Sequence, residues 1–177
     1  MKKTIQQFVF AAALLLVSCQ MQAQFVIGKD TLGGKVAYID ASRIHGLIAA
    51  PSQNTVIQWG NLTYVITEAK GTAIGTGNSN TEIIVAAQGA PQGAGSYAAK
   101  YCYDLVLNGY SDWYLPSKDE LNQLYINRVA IGGFMTSYNY WSSSESANAA
   151  WYQNFSNGSQ TLSYKDLPSY VRAVRTF

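Results

Sequence analysis

Trp113-Tyr114-Leu115-Pro116-Ser117-Lys118-Asp119-Glu120-Leu121 is the stretch on which the fold turns. Trp113, Tyr114 and Leu115 suit an extended, half-buried backbone, and Pro116 ends that run by disfavouring helix in the residue before it. Ser117 and Glu120 then have the S-x-x-E spacing of a capping box, in which the serine oxygen takes a helix amide proton and the glutamate reaches back to the serine amide. The segment therefore reads as a strand feeding a capped helix. That helix buries Leu121, Leu124, Tyr125 and Val129 on one stripe, and Gly132-Gly133 stops it.

Upstream, Ala98, Cys102, Leu105 and Val106 recur at helical spacing between Gly95 and Asn108, with Asn108-Gly109 as the stop. Earlier runs rich in Val, Ile, Tyr and Thr predict strands over 35–40, 46–50, 55–59 and 63–67. The glycine-rich stretch Gly71 to Gly77 lacks the Lys-Ser/Thr ending of a phosphate loop. It reads as a flexible surface connection, and Thr81 to Ala87 fits a short strand or a helical turn equally well. Downstream, Trp151, Gln153 and Phe155 alternate with Tyr152 and Asn154. Ser156-Asn157-Gly158-Ser159 turns the chain into Thr161 to Tyr164, a hairpin, and Tyr170 to Arg175 forms a last strand.

The 177 residues suffice for one domain with a buried core. Low charge, 12%, with 15 glycines and 13 tyrosines, points to a strand-and-loop module of the extracellular kind. Met1-Lys2-Lys3 ahead of the apolar run Phe8 to Val17 has the pattern of a secretory signal peptide over 1–23. Within it, Leu16-Val17-Ser18-Cys19 resembles a lipobox, which predicts acylation of Cys19 and a membrane anchor of two acyl chains. Cleavage after Ala23 is the alternative, giving a secreted or periplasmic protein. Both routes export the chain, with a cell-surface or outer-membrane lipoprotein favoured. Without Lys2 and Lys3, the 12 basic residues fall to 10, equal to the 10 acidic ones. A neutral chain lacks the clustered cationic surface that nucleic acid requires. Cys102 is then the one other cysteine, excluding a disulfide and reading as a small apolar residue.

Together with the opening stretch, Tyr140-Trp141-Ser142-Ser143-Ser144-Glu145, Tyr170-Val171-Arg172-Ala173-Val174-Arg175, Gly33 to Asp40 and His45 to Pro51 resemble the Lcl C-terminal domain family, named after a collagen-like bacterial adhesin. The resemblance implies an α+β, C-type lectin-like fold: two helices packed on small, mostly antiparallel sheets with long loops, and terminal strands paired. It places the domain over 33–177, after a short linker over 24–32. It further implies that ligands meet the loop region between the second helix and the last strands, which maps to residues 135–160.

Catalytic patterns are thin. His45 is the sole histidine, beside a glycine at a strand start, and no nucleophile elbow is present. Asp119 and Glu120 are adjacent on a helix and cannot face one substrate. Asp112 and Glu145 are the remaining carboxylate pair of the kind glycosidases use. The Trp113 to Leu121 segment is also similar to one in formylglycine-generating enzymes, whose topology is related. Those enzymes need two active-site cysteines, and here only Cys102 would be left. No metal-binding motif occurs, and the calcium-lectin motifs are absent; a calcium site would have to be built from Glu145, Asn148 and Asn154. No cofactor is implied. Lys165, Arg172 and Arg175 outnumber Asp166 near the end of the chain, but on a strand Arg172 and Arg175 point to opposite faces.

These observations favour a non-enzymatic binding module for an extracellular glycan or protein, with Tyr138, Glu145, Asn148, Tyr152, Asn154, Asn157 and Lys165 as candidate contact residues. Rings flanked by amides suit both sugar faces and protein surfaces. Trp141 and Trp151 lie in strands and read as core. An envelope enzyme acting on glycan or peptide, and a structural accessory subunit, are the competing readings.

Overall fold

A computed structural model describes residues 25–51, 55–61, 65–91 and 96–177. The leader, with Cys19, and Thr63 and Tyr64 of the strand expected over 63–67 lie outside the described residues, and Val65 to Thr67 are not strand. The chain is α+β, with a four-stranded and a five-stranded sheet.

The first sheet has the order β1 (Asp30–Thr31), β2 (Gly34–Ile39), β3 (Gly46–Ala49), β9 (Val174–Thr176), all antiparallel. Strand β3 is buried along its whole length. Period-two alternation sends Ile48 to one apolar cluster, with Trp59, Trp113 and Trp141, and Leu47 and Ala49 to another, with Tyr114, Leu121, Leu124, Tyr140 and Phe155. The same alternation runs through Trp113, Tyr114 and Leu115. This extended run joins the sheet through one bridge, the mutual backbone bonds of Tyr114 and Val174 at 2.8 and 2.9 Å.

Three expectations change here. The last strand hydrogen-bonds to β3 rather than to the first strand, although Phe25 ahead of β1 and Phe177 after β9 do meet, with ring centroids 4.0 Å apart. Residues 25–32 are part of the domain rather than linker, since β1 pairs with β2 and the Gly28 amide donates to Val36 O. Nor is Tyr170 to Arg175 one strand. Pro168–Tyr170 forms β8 in the second sheet, and the chain crosses to the first before β9.

The second sheet has the order β4 (Val56–Gln58), β8, β5 (Asn139–Ser146), β6 (Ala149–Asn154), β7 (Gln160–Tyr164). The β6–β7 hairpin follows the sequence prediction, with five paired positions from Ala149↔Tyr164 to Gln153↔Gln160.

Four helices are described, not two: α1 (Gly77–Gln88), α2 (Ala98–Tyr103), α3 (Lys118–Ile126) and α4 (Arg128–Ile131). The capping box of α3 is formed, with the Glu120 amide donating to Ser117 Oγ at 3.3 Å and the Ser117 amide to Glu120 Oε2 at 2.8 Å. Both expected apolar stripes run too long. α2 ends before Val106, which is 73% exposed, because Asn108 and Gly109 both take positive φ in a tight turn bridging Leu107 and Tyr110. α3 ends before Val129, 89% exposed, and Ile131 of α4 takes the buried place.

The glycine-rich stretch is a docking loop rather than a free connection. Gly71 exchanges bonds with Asn80, the Asp119 amide donates to Thr72 O, Ser117 Oγ donates to Ala73 O, and the Gly75 amide donates to Glu120 Oε1. A Cβ on Gly77 would sit 2.1 Å from Glu120 Oε2, so only glycine lets α1 approach the cap this closely. Burial raises the Glu120 carboxyl pKa, and the bonds from Ser117, Gly75 and Tyr114 oppose the rise.

Candidate functional site

The seven candidate contact residues do not form one site. β5 and β6 run antiparallel, with Asn139 opposite Asn154 at one end and Glu145 opposite Ala150 at the other. Six residues at roughly 3.3 Å each separate these ends by roughly 20 Å. Tyr138, Asn154 and Asn157 gather at the first end; Glu145, Asn148 and Lys165 gather at the second.

At the second end the two charged residues are structural. Lys165 Nζ donates to Glu145 Oε2 at 2.5 Å, to Val65 O at 2.9 Å and to Ala147 O at 3.1 Å, over the ring of Trp59. Both side chains are almost fully buried. The other Glu145 oxygen accepts the Glu68 amide. Glu145 and Lys165 are thus corrected from contact residues to an internal pair that ties β5 to the end of β7. Asn148 is exposed in the hairpin turn beside them. With Glu145 turned inward and Asn154 at the far end, the proposed calcium trio does not converge. Among the described residues, no three His, Cys, Asp or Glu side chains gather as metal ligands.

The basic patch dissolves in the same way. Arg172 is buried, donating to Ala50 O, Gly133 O and Gly132 O with its guanidinium 4.5 Å from the Phe134 ring, and burial lowers its pKa to about 10. Arg175 makes a two-bond pair with Asp112 at 2.7 and 2.8 Å. Hydrogen bonding from Arg175 holds the Asp112 carboxyl below its ordinary value. Asp112 and Glu145, weighed as a catalytic pair, are therefore each committed to a different cation. Cys102 is buried and its thiol pKa is pushed far up by desolvation, which leaves it an unreactive core residue.

At the first end the arrangement is open. Tyr138 is 52% exposed, and its ring lies 5.2 Å from that of Tyr170. Together with Val56, Asn139, Pro168 and Ser169 these rings line a depression of about 250 Å³. The β6–β7 turn lies alongside, joined by the Phe155 amide to Tyr138 O at 2.9 Å and by Asn154 Nδ2 to Asn139 Oδ1 at 2.9 Å. Asn154 Oδ1 is spent on the turn, accepting from the Ser156 amide at 2.8 Å and the Asn157 amide at 3.3 Å. Asn157 Oδ1 likewise accepts from Ser159. The asparagines shape the surface, and Asn139, Ser169 and the tyrosine hydroxyls supply polar groups around the rings. Tyr152 stands mid-strand, half-buried with its ring edge-on to Trp141 at 5.9 Å. Trp151 is half-buried, beneath the Lys118 ammonium at 5.3 Å, and Gln153 is buried against Asn122 and Gly158.

Tyr170, Pro168 and Ser169 are missing from the sequence prediction, which placed Tyr170 in a single long final strand. Pro168 was the available signal: proline is confined to strand starts and edges, and here it opens β8 and lines the depression.

No curated protein matches the chain. The family model for the Lcl C-terminal domain matches residues 52–175, a span that holds the capped helix, the whole second sheet and the Tyr138 depression. The chain belongs to the Lcl C-terminal domain family.

Proposed function

We propose that this protein is an exported, non-enzymatic binding domain that recognises a glycan or protein at the bacterial cell surface through the Tyr138–Tyr170 face, held at the membrane by lipid on Cys19. The observation that carries the reading is the exposed Tyr138 ring, set at a tilt against Tyr170 with centroids 5.2 Å apart, over a shallow depression edged by Asn139 and Ser169. Such a surface offers a flat apolar face to a sugar ring or an apolar side chain, with hydrogen-bonding groups at its margin. It is built on strand ends, so its geometry is fixed before a ligand arrives. The carboxylates that an enzyme reading would use are held elsewhere: Asp112 by Arg175, Glu145 by Lys165 and Glu120 by the helix cap.

A glycan array probed with the full chain, with and without chelator, tests this directly, and a pull-down from envelope extracts tests the protein alternative. Binding in either format that drops at least tenfold in Tyr138→Ala supports the face. Undiminished binding by Tyr138→Ala removes it, and released products on incubation with peptidoglycan would favour the enzyme reading. Mass spectrometry of the mature N-terminus decides the anchor.

A further inference from the structure

A second cavity lies away from the Tyr138 face, at the end of the first sheet where β2, β3 and β9 meet the loop carrying Ile74. It encloses about 430 Å³, within the range of small-molecule sites. Its apolar wall is made by Tyr38, Leu47, Ile74 and Phe177, and its polar groups include Asp40 and His45. Gly46 is what admits the Phe177 ring: a Cβ there would lie 2.7 Å from Phe177 Cζ and 2.0 Å from Tyr38 O.

Asp40 is the one side-chain carboxylate among the described residues on this wall. Its Oδ1 accepts from the Ser42 amide at 2.9 Å, the Ser42 hydroxyl at 2.5 Å and the Arg43 amide at 3.1 Å. Its Oδ2 accepts from no described residue. The bond from the Ser42 hydroxyl, first among several influences, lowers the Asp40 pKa, so the group is anionic across the physiological range. A fixed anion at the rim of an apolar, aromatic recess repels anionic ligands. It suits a cation whose charge meets Oδ2 while its apolar body lies against the rings.

We propose that this cavity binds a small organic cation, a primary ammonium carried on an aromatic or aliphatic body, with Asp40 Oδ2 accepting from the ammonium and Tyr38, Leu47, Ile74 and Phe177 packing the remainder. The proposal is independent of the Tyr138 face and stands whether or not that face binds anything.

The test is a titration of the 15N-labelled full chain with phenethylammonium, followed by amide chemical shifts. Saturable shifts are expected at Gly46, Leu47, Gly75 and Thr176, and none at Tyr138 or Asn139. The neutral analogue 2-phenylethanol should bind roughly tenfold more weakly or worse, the worth of one charge-assisted bond. Asp40→Asn keeps the Oδ1 acceptor for Ser42 and Arg43, so the turn is retained, and it should bring the amine down to the alcohol. The absence of saturable shifts, equal binding of amine and alcohol to the unmodified chain, or undiminished amine binding by Asp40→Asn would each overturn the proposal. The amine–alcohol comparison needs no variant and decides on its own if Asp40→Asn unfolds.

Discussion

At one end of β5 and β6, Glu145 and Lys165 meet inside the protein, with the lysine also donating to two carbonyls and lying over Trp59. At the other end, Tyr138 stands open to solvent at a shallow depression, with Asn139 and Asn154 half-buried beside it. In sequence the two ends look alike: short runs of polar and aromatic residues flanking a strand. What separates them is the partner that topology delivers. β7 ends beside β6 at Ala149↔Tyr164, so the next residue, Lys165, arrives where Glu145 is already buried. Among the described residues no charged partner is brought across the Tyr138 end, and the Asn154 amide is spent on its own turn and on Asn139.

Breaking the closed end should therefore cost the most. Lys165→Met leaves Glu145 buried and unpaired, and removal of one partner of a buried pair typically costs about 3–5 kcal/mol. Urea denaturation should show that loss, and the double variant Glu145→Gln, Lys165→Met should recover most of it, because neither charge is then stranded. A single-variant cost below about 1 kcal/mol would mean that the two ends do not differ as described.

The contrast also shows what a sequence discloses. The capping box at Ser117 and Glu120 and the β6–β7 hairpin were legible because their partners lie within a few residues and obey fixed spacing. The Glu145–Lys165 pair was not, since it exists only once three strands are in register. Helix α1 was hidden for a related reason. Gly77-Asn78-Ser79-Asn80-Thr81 is a poor helix former by propensity, and the turn is held by tertiary bonds from Asn80 to Gly71 and Ser143 and from Thr81 to Leu115. At the candidate face Tyr138 was legible as an aromatic in a loop, whereas Tyr170 was assigned to the wrong sheet because Tyr170 to Arg175 reads as one strand.

The cap extends the closed end, because the Lys118 amide donates to Ser144 Oγ, next to Glu145. Ser117→Ala removes both the cap acceptor and the donor to Ala73 O. The expected loss is about 1–2 kcal/mol, the upper part of the usual range for an N-cap. A thermal melt of the variant checks it.

An exposed pair provides the gauge for the buried one. Asp112 bonds Arg175 at the surface of the first sheet, and its carboxyl pKa is lowered chiefly by that hydrogen bond. The sign follows: its contribution is fully present above the unfolded value near 3.8 and is lost as pH falls through the lower folded value. Asp112→Asn should flatten that acid limb of the stability curve while changing stability at neutral pH only slightly, as exposed pairs do. Added salt should weaken the Asp112 contribution and leave the Glu145–Lys165 pair nearly untouched.

The smallest effect on stability is expected where the effect on binding is largest. Tyr138 meets Tyr170 in a tilted ring contact and shows about half of its surface to solvent. Truncation to alanine gives up an exposed contact and creates no internal cavity, so the melt should move by no more than about 0.5 kcal/mol equivalent. Glycan or protein binding should nonetheless fall by at least tenfold, because a rigid exposed ring commonly carries a large share of contact energy. A variant that loses stability and binding together would make Tyr138 a packing residue, and the open end would then resemble the closed one in kind. A variant that loses binding alone separates the ring that meets the ligand from the strands that position it.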